Sequence, residues 1–314
     1  MKVLITGATG LVGQAIVKVL HQKGIPVNYL TTSKDKISIA EDYTGFYWNP
    51  AKGEIDLKCF ENVQAIINLA GTSIAKRWTP EHKKKVLSSR IDSLRTLKKG
   101  VEQSESHEVE CLVSASAIGI YPDSTSAYYD ESTTESDNGF LGEVVTKWES
   151  EADTFKALDI DVAKIRIGLV LSKEGGALPK MAMPVKNFVG APIGSGDQWQ
   201  SWVHIEDLAQ LFVFAVENNL TGVYNAVAPN PVTNAKLIKE LAKVLERPLW
   251  LPNVPAFVLK IVLGKMATLL LASQRVSGKK IEEEGFAFQH ANICQALEAI
   301  YASHENGVAA SLEV

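Results

Sequence analysis

Lys2-Val-Leu-Ile-Thr6-Gly7-Ala8-Thr9-Gly10-Leu11-Val12-Gly13 is the stretch that decides the fold. A short β-branched and aliphatic run ends in glycines. Apolar residues then recur at Leu11, Val12, Ala15, Ile16, Val19 and Leu20, a helical spacing. The reading is strand, tight turn, helix. Glycines three residues apart at that junction have separate uses. Gly7 permits the turn, Gly10 lets the backbone approach a pyrophosphate, and Gly13 allows the helix to pack closely on the strand. Leu11 and Val12 then open a helix whose N-terminal N–H groups receive phosphate. A glycine triplet alone also fits an ordinary turn; its place between strand and helix is what favours a dinucleotide.

Working outward, Val27 to Thr31 reads as a second strand, Phe46 to Trp48 as a weak third and Ala65 to Ala70 as a buried fourth. Thr79 followed by Pro80 opens a helix predicted to reach about Val101, with Thr as N-cap and Pro in the first turn. Cys111 to Ser116 is a strand, Phe140 to Leu158 a helix and Val162 to Gly168 another buried strand. Strands alternating with helices at this pace predict an α/β Rossmann fold, a doubly wound parallel sheet with a smaller, mainly helical C-terminal lobe. After Leu171 glycines and prolines crowd the chain as far as Gly196, too many breakers for one long element. Helical pattern resumes at His204 to Val216, Gly222 to Ala226 is strand-like, and from Asn234 the chain reads helical almost to its end. The expected division is a dinucleotide-binding domain of residues 1–172 and about 205–233, and a substrate lobe of about 173–204 and 234–310. Residues 311–314 read as a tail.

With 46% hydrophobic residues and 22% charged, 314 residues can bury a substantial core. A net charge of −4 offers no field for a polyanion, and Lys83, Lys84 and Lys85 read as a solvated helix face, so no nucleic-acid partner is expected. Cys59, Cys111 and Cys294 are widely spaced and odd in number, which argues against a disulfide framework. Met1 runs directly into a strand pattern without the signature of a signal peptide. The apolar stretch Ala256 to Ala272 is interrupted by Lys260 and Lys265 and is shorter than a membrane span; it reads as a packed helix. A cytoplasmic location with no membrane partner is the expectation.

At the end of the second strand, where an acidic residue would hold the adenosine ribose, the chain reads Tyr29-Leu30-Thr31-Thr32-Ser33-Lys34. Hydroxyls with Lys34 or Lys36 nearby suit a 2′-phosphate, which a carboxylate would repel. NADP(H) is therefore favoured over NAD(H).

These residues resemble the extended short-chain dehydrogenase/reductases, and among them an atypical epimerase-family group often described as nucleoside-diphosphate-sugar epimerases. The resemblance is carried by the Thr6–Gly13 turn, Asn68-Leu-Ala-Gly71, Ser89-Arg90, Ser114-Ala-Ser-Ala-Ile-Gly119, Lys147-Trp-Glu149 and Arg166-Ile-Gly-Leu-Val-Leu171. Gly175 to Met181, Pro192 to Gly196 and Ser201-Trp-Val-His-Ile205 carry it further, and it spans nearly the whole chain. It implies that Leu69, Ala70 and Gly71 run beneath the cofactor, that Thr31 and Thr32 meet the adenosine phosphate, and that Lys85 and Arg90 approach the dinucleotide. Ser114 and Arg166 fall in the same resembling segments and are expected at the cofactor. Arg90 is also unusual by its position, because it shares a helix stripe with Val86, Leu94 and Leu97, and a charge on an inward stripe wants an anion.

Members of that superfamily are similar in using serine, tyrosine and lysine, the tyrosine moving a proton while nicotinamide moves hydride. Ser116 and Lys147 match, but four residues before Lys147 stands Glu143, not tyrosine. Three readings stay open. Glu143 carries the proton, which requires a desolvated glutamate; Tyr121 or Tyr128 supplies it from elsewhere; or Ser116 and Lys147 only hold cofactor and no redox chemistry occurs. Gln198, Trp199 and Trp202 are candidates to stack on and hydrogen-bond a sugar or base, or to pack against C-terminal helices. His204, Glu206 and Asp207 open a helix, where acids are electrostatically ordinary, so no metal is expected. The leading function is an NADP(H)-dependent oxidoreductase or epimerase on a small polar carbonyl or sugar-like substrate, with a homodimer as the candidate assembly. The rival is a catalytically silent NADP(H)-binding regulator or redox sensor.

Overall fold

The structure is a computed structural model and describes residues 1–104 and 107–302. The expected lobe residues 303–310 and the tail at 311–314 lie outside the described residues. Eight strands form one sheet: β1 (Val3–Thr6), β2 (Val27–Thr31), β3 (Tyr43–Asn49), β4 (Glu54–Ile55), β5 (Ala65–Asn68), β6 (Cys111–Ala117), β7 (Asp161–Ile167) and β8 (Gly222–Ala226). Their order is β8-β7-β6-β5-β1-β2-β3-β4. All neighbours are parallel except β3 and β4. The connections include the helices α1 (Leu11–Gln22), α2 (Pro80–Gln103) and α3 (Phe140–Asp153). Val3, Leu4, Ile5, Ile66 and Ile67 are fully buried, the unbroken apolar runs of parallel strands covered on both faces. The chain leaves β1 toward β2 and β3, then returns to β5 on the other side of β1. That reversal places a crevice beyond the C-terminal ends of β1 and β5, where doubly wound sheets bind ligands.

Compact unit 1 comprises Met1–Pro122, Thr133–Ile167 and Leu208–Ala226, and unit 2 Asp123–Ser132, Gly168–Asp207 and the chain from Val227 onward. Unit 2 has its own core, in which Leu178, Val185, Trp202, Leu237, Leu241 and Leu297 pack together. Asp123–Ser132 belongs to unit 2, where Tyr128–Tyr129 pairs in parallel with Arg275–Val276.

Three expectations change. The breaker-rich block after Leu171 contains a helix, Leu178–Lys186, with Pro179 in its first turn and Pro184 inside it; a proline in the first turn costs nothing because its N–H would be unpaired there. The helix predicted over Phe140 to Leu158 is α-helical to Asp153 and then tightens into a 3-10 turn, Thr154–Leu158. The single packed helix expected at Ala256 to Ala272 is instead Ala256–Leu263, a 3-10 turn Gly264–Ala267 and a short helix Thr268–Leu271, broken at Gly264 with φ +59°. No residue of Ala256–Leu263 is buried.

Candidate cofactor cleft and buried polar network

Gly7 adopts φ +74°, a left-handed conformation that glycine takes without steric cost. Its carbonyl accepts the Gly10 N–H at 2.9 Å, closing the turn. Gly10 caps α1 in an extended conformation without a side-chain hydrogen bond, and α1 has no acid in its first turn. The positive end of that helix therefore carries no carboxylate in its own first turn. A Cβ on Gly13 would stand 2.2 Å from the Gly7 oxygen and 2.7 Å from Ala8 Cα. Gly7 thus makes the turn and Gly13 the close helix packing that their spacing predicts.

The adjoining cleft, about 480 Å³, is lined by Gly7, Thr9, the β2 end Leu30-Thr31-Thr32-Ser33 and Lys36, Trp48 to Ala51, Ala70 to Thr72, and Lys85, Ser88, Ser89 and Asp92 of α2. Of the residues expected at the cofactor, Gly7, Thr31, Thr32, Ala70, Gly71 and Lys85 line it, and Gly10 to Gly13 follow directly on Gly7 and Thr9. Thr31 is buried, and its hydroxyl accepts the Ser33 N–H at 3.2 Å, shaping the loop; Thr32 is exposed. Lys34 leans over the Tyr47 ring instead, 5.2 Å from its centroid.

Behind the cleft floor, strand register sets a polar row. Thr6 pairs with Asn68, and Asn68 with Ser114, so their side chains leave the sheet on one face. Thr6 Oγ1 donates to Asn68 Oδ1 at 2.8 Å, and Asn68 Nδ2 donates to Ser114 Oγ at 3.2 Å. Thr6 Oγ1 also accepts the N–H groups of Leu69 and Ala70, both at 3.0 Å, which fixes the loop beneath the crevice. Ser114 is therefore a buried support of this loop, not a lining residue. Thr6 was missed from the sequence; the signal was a hydroxyl ending an otherwise apolar strand.

Arg90 lies against this loop. Its Nη1 donates to the carbonyls of Thr72 and Val86, at 3.1 and 2.9 Å, and its guanidinium stacks on Trp148 at 4.9 Å. Burial lowers its pKa to about 10, and its buried Nε has no hydrogen-bond partner. A desolvated cation with an unused donor, beside Gly71, fits an anionic group.

A second register row joins Ser116, Arg166 and Asn225 on adjacent strands β6, β7 and β8. Glu149 of α3 covers it. Arg166 meets Glu149 through Nε at 2.8 Å and Nη2 at 3.0 Å, and its Nη1 donates to the Tyr121 hydroxyl at 3.0 Å. Tyr121 donates to Asn225 Oδ1 at 2.9 Å, and Ser116 Oγ donates to Glu149 Oε1 at 2.5 Å. All five residues are buried. Burial would lower the Arg166 pKa, but the hydrogen bonds and charge of Glu149, with Tyr121, outweigh it and raise it. Arg166 is thus committed to Glu149 and does not line the cleft. Lys147 is exposed and is not part of this network: its Nζ meets Glu143 Oε1 at 2.6 Å in a half-exposed pair. The structure therefore joins Ser116 to Tyr121 through Glu149 and Arg166, and Lys147 to Glu143. Glu149 was missed although its carboxylate shares the inward stripe of Val145, Trp148 and Ala152.

Within unit 2, Trp202 has no exposed surface and its Nε1 donates to Asn230 O at 3.0 Å, a core position. Gln198 is also buried and donates to Ile193 O at 3.0 Å. Trp199 is half-buried; its indole donates to Thr125 O at 3.0 Å and lies 4.5 Å from the Arg275 guanidinium, which also faces the Tyr128 ring at 5.1 Å. His204, Glu206 and His290 bring candidate ligand atoms within 4.8 Å of one another. His204 Nδ1, however, accepts the Glu206 N–H at 3.2 Å, and Asp207 accepts the N–H groups of Gln289 and His290 at 2.9 and 3.0 Å. Burial, then His290, push His204 down to about 4. Among the described residues no helix is long and apolar enough to cross a membrane.

Fold and cleft together define a dinucleotide-binding Rossmann protein. The model of the NAD-dependent epimerase/dehydratase family matches residues 3–226, and that of a domain of unknown function matches residues 254–300; the chain belongs to the NAD-dependent epimerase/dehydratase family. It is 41% identical over 310 residues to the chloroplastic epimerase family protein SDR39U1 homolog of Arabidopsis thaliana, covering 96% of this chain and 86% of that one. Epimerase family protein YfhF of Bacillus subtilis is 37% identical over 306 residues, covering 97% and 99%. The crystal structure of human epimerase family protein SDR39U1 (isoform 2) with NADPH matches with a TM-score of 0.83 at 30% identity, covering 96% of this chain and 99% of that one.

Proposed function

We propose that this chain binds NADP(H) in the cleft of unit 1 and, as an oxidoreductase or epimerase, acts with it on a small polar carbonyl or nucleotide-sugar-like substrate. The observation that carries the reading is the cleft itself: a glycine turn and uncapped helix on one wall, and a β2 end of hydroxyls with Lys36 and Lys85 on the other. The N-terminus of α1 suits the pyrophosphate. Thr32, Ser33 and the two ammonium groups suit the 2′-phosphate, and the NADPH carried by the human relative agrees. Arg90, with its unused Nε, supports the loop under the dinucleotide. When bound, the nicotinamide supplies or accepts hydride. The residues available to hold or pass the accompanying proton are Ser116 and Tyr121, linked through Glu149 and Arg166, with Glu143 and Lys147 as the exposed alternative.

A second reading, a catalytically silent NADP(H)-binding regulator, draws on one observation: Lys147 is paired with Glu143 and Ser116 with Glu149, so neither is free toward a substrate. A panel of small carbonyl compounds and nucleotide sugars separates the two, with loss of reduced-nicotinamide absorbance reading net reduction and chromatography of the sugars reading epimerisation, which consumes no net cofactor. Turnover that disappears in Ser116→Ala while NADPH still binds supports the enzyme. Binding without turnover across the panel supports the regulator, and absence of NADPH binding refutes both.

A further inference from the structure

The helix Ala256–Leu263, sequence AFVLKIVL, is apolar at every position but Lys260, and it buries none of them. Phe257, Ile261 and Val262 are 64%, 76% and 68% exposed. Phe257 and Ile261, at i and i+4, share one helix face, and Val262 extends the exposed apolar surface beside Ile261. Along the chain, the segment that carries this ridge has charge of a single sign. From residue 247 to residue 281 the chain carries Arg247, Lys260, Lys265, Arg275, Lys279 and Lys280 and no Asp or Glu, in a protein of net charge −4. Lys260 and Lys265 line one cleft with Thr268 and Leu271, and neither has an ion-pair partner among the described residues. Asp123, at the same cleft, accepts the Ser273 N–H at 2.8 Å.

We infer that unit 2 docks peripherally on an anionic lipid surface through this helix. An exposed apolar ridge of this kind marks an interaction site. A second copy of the chain is a poor occupant, because a two-fold interface sets the same patch against itself and would bring Lys260 and Lys265 toward their own copies. A bilayer with anionic headgroups satisfies both features together. Acyl chains receive Phe257, Ile261 and Val262, and headgroup phosphates receive the ammonium groups. Trp250, 66% exposed in the same segment, has the side chain that favours the headgroup level. The helix is far too short to span, so attachment is to the surface.

The test is co-sedimentation of the full chain with phosphatidylcholine vesicles, with and without about one third phosphatidylglycerol. The expected result is binding to the anionic vesicles only, weakened by salt. Partitioning falls at least about tenfold in Lys260→Glu/Lys265→Glu and in Phe257→Ser/Ile261→Ser, while NADPH binding and the melting temperature hold in both, since these side chains are exposed. Absence of sedimentation with either vesicle, or equal sedimentation by the variants, overturns the inference. So does a concentration-dependent dimer abolished by the same substitutions, which assigns the ridge to a second copy.

Discussion

Replacing Gly13 with alanine sets a Cβ 2.2 Å from the Gly7 carbonyl oxygen, 2.7 Å from Ala8 Cα and 2.8 Å from the Ala8 carbonyl carbon. All three are backbone atoms, so no rotamer change relieves the contact. Either the glycine turn or the start of α1 must retreat by roughly 1 Å to restore van der Waals separation. Overpacking of this kind costs about 1–3 kcal/mol, which lowers the melting temperature by roughly 2–10 °C. The same displacement spoils the phosphate position at the helix N-terminus. NADPH affinity should therefore fall at least about tenfold, or about 1.4 kcal/mol. Gly24→Ala is the control: it sits at φ +68° with nothing within 4 Å, so it costs about 1 kcal/mol of backbone strain away from the cleft. Thermal melts without ligand and fluorescence titrations with NADPH read both effects. Wild-type NADPH affinity in Gly13→Ala, or an equal loss in Gly24→Ala, would refute the reasoning.

Four further outcomes follow from the same geometry. Glu149→Ala strips the buried Arg166 of its carboxylate and should cost about 3–5 kcal/mol in urea unfolding, with Glu149→Gln milder; a cost under about 1 kcal/mol would show that the pair is dispensable. Lys147→Ala removes an exposed ion pair and should change stability by no more than about 0.5 kcal/mol, so any loss of turnover in that variant reports on chemistry. Arg90→Gln should weaken NADPH at least about fivefold, about 1 kcal/mol, and an unchanged titration would remove Arg90 from the cofactor site. His204 sits at about 4 against an ordinary 6.5, lowered by burial and by His290. The unfolded chain therefore binds more protons between those values, and stability is full above pH 6.5 and falls as pH drops through the window, by on the order of 3 kcal/mol. Asp207, whose carboxyl burial raises, acts in the opposite sense. Unfolding at neutral and mildly acidic pH should lose this slope in His204→Gln, and an unchanged slope places it elsewhere.

The dinucleotide half of the fold was legible because its signals are local. The run from Val3 to Gly13 encodes strand, turn and helix within one window, and Thr79-Pro80 marks the start of α2. What the sequence hid depends on contacts between distant residues. Tyr128–Tyr129 pairs with Arg275–Val276 across the chain, so no local pattern assigns residues 123–132 to unit 2. The network of Ser116, Glu149, Arg166, Tyr121 and Asn225 arises from strand register and one helix face. Only the carboxylate on the apolar stripe of α3 hinted at it, by the argument that singled out Arg90. Motif matching aligned Ser116 and Lys147 with the serine and lysine of the superfamily, whereas on α3 Lys147 is exposed and Glu149 buried. Apolar content at Ala256 to Ala272 predicted burial, whereas only Ala267 is buried there and Phe257, Ile261, Val262 and Leu270 are exposed.

The most direct test of the central claim is a fluorescence titration of the purified protein with NADPH and, separately, with NADH. The account predicts saturable NADPH binding at least about tenfold tighter than NADH, about 1.4 kcal/mol. Binding of neither nucleotide, or a preference for NADH, would contradict it.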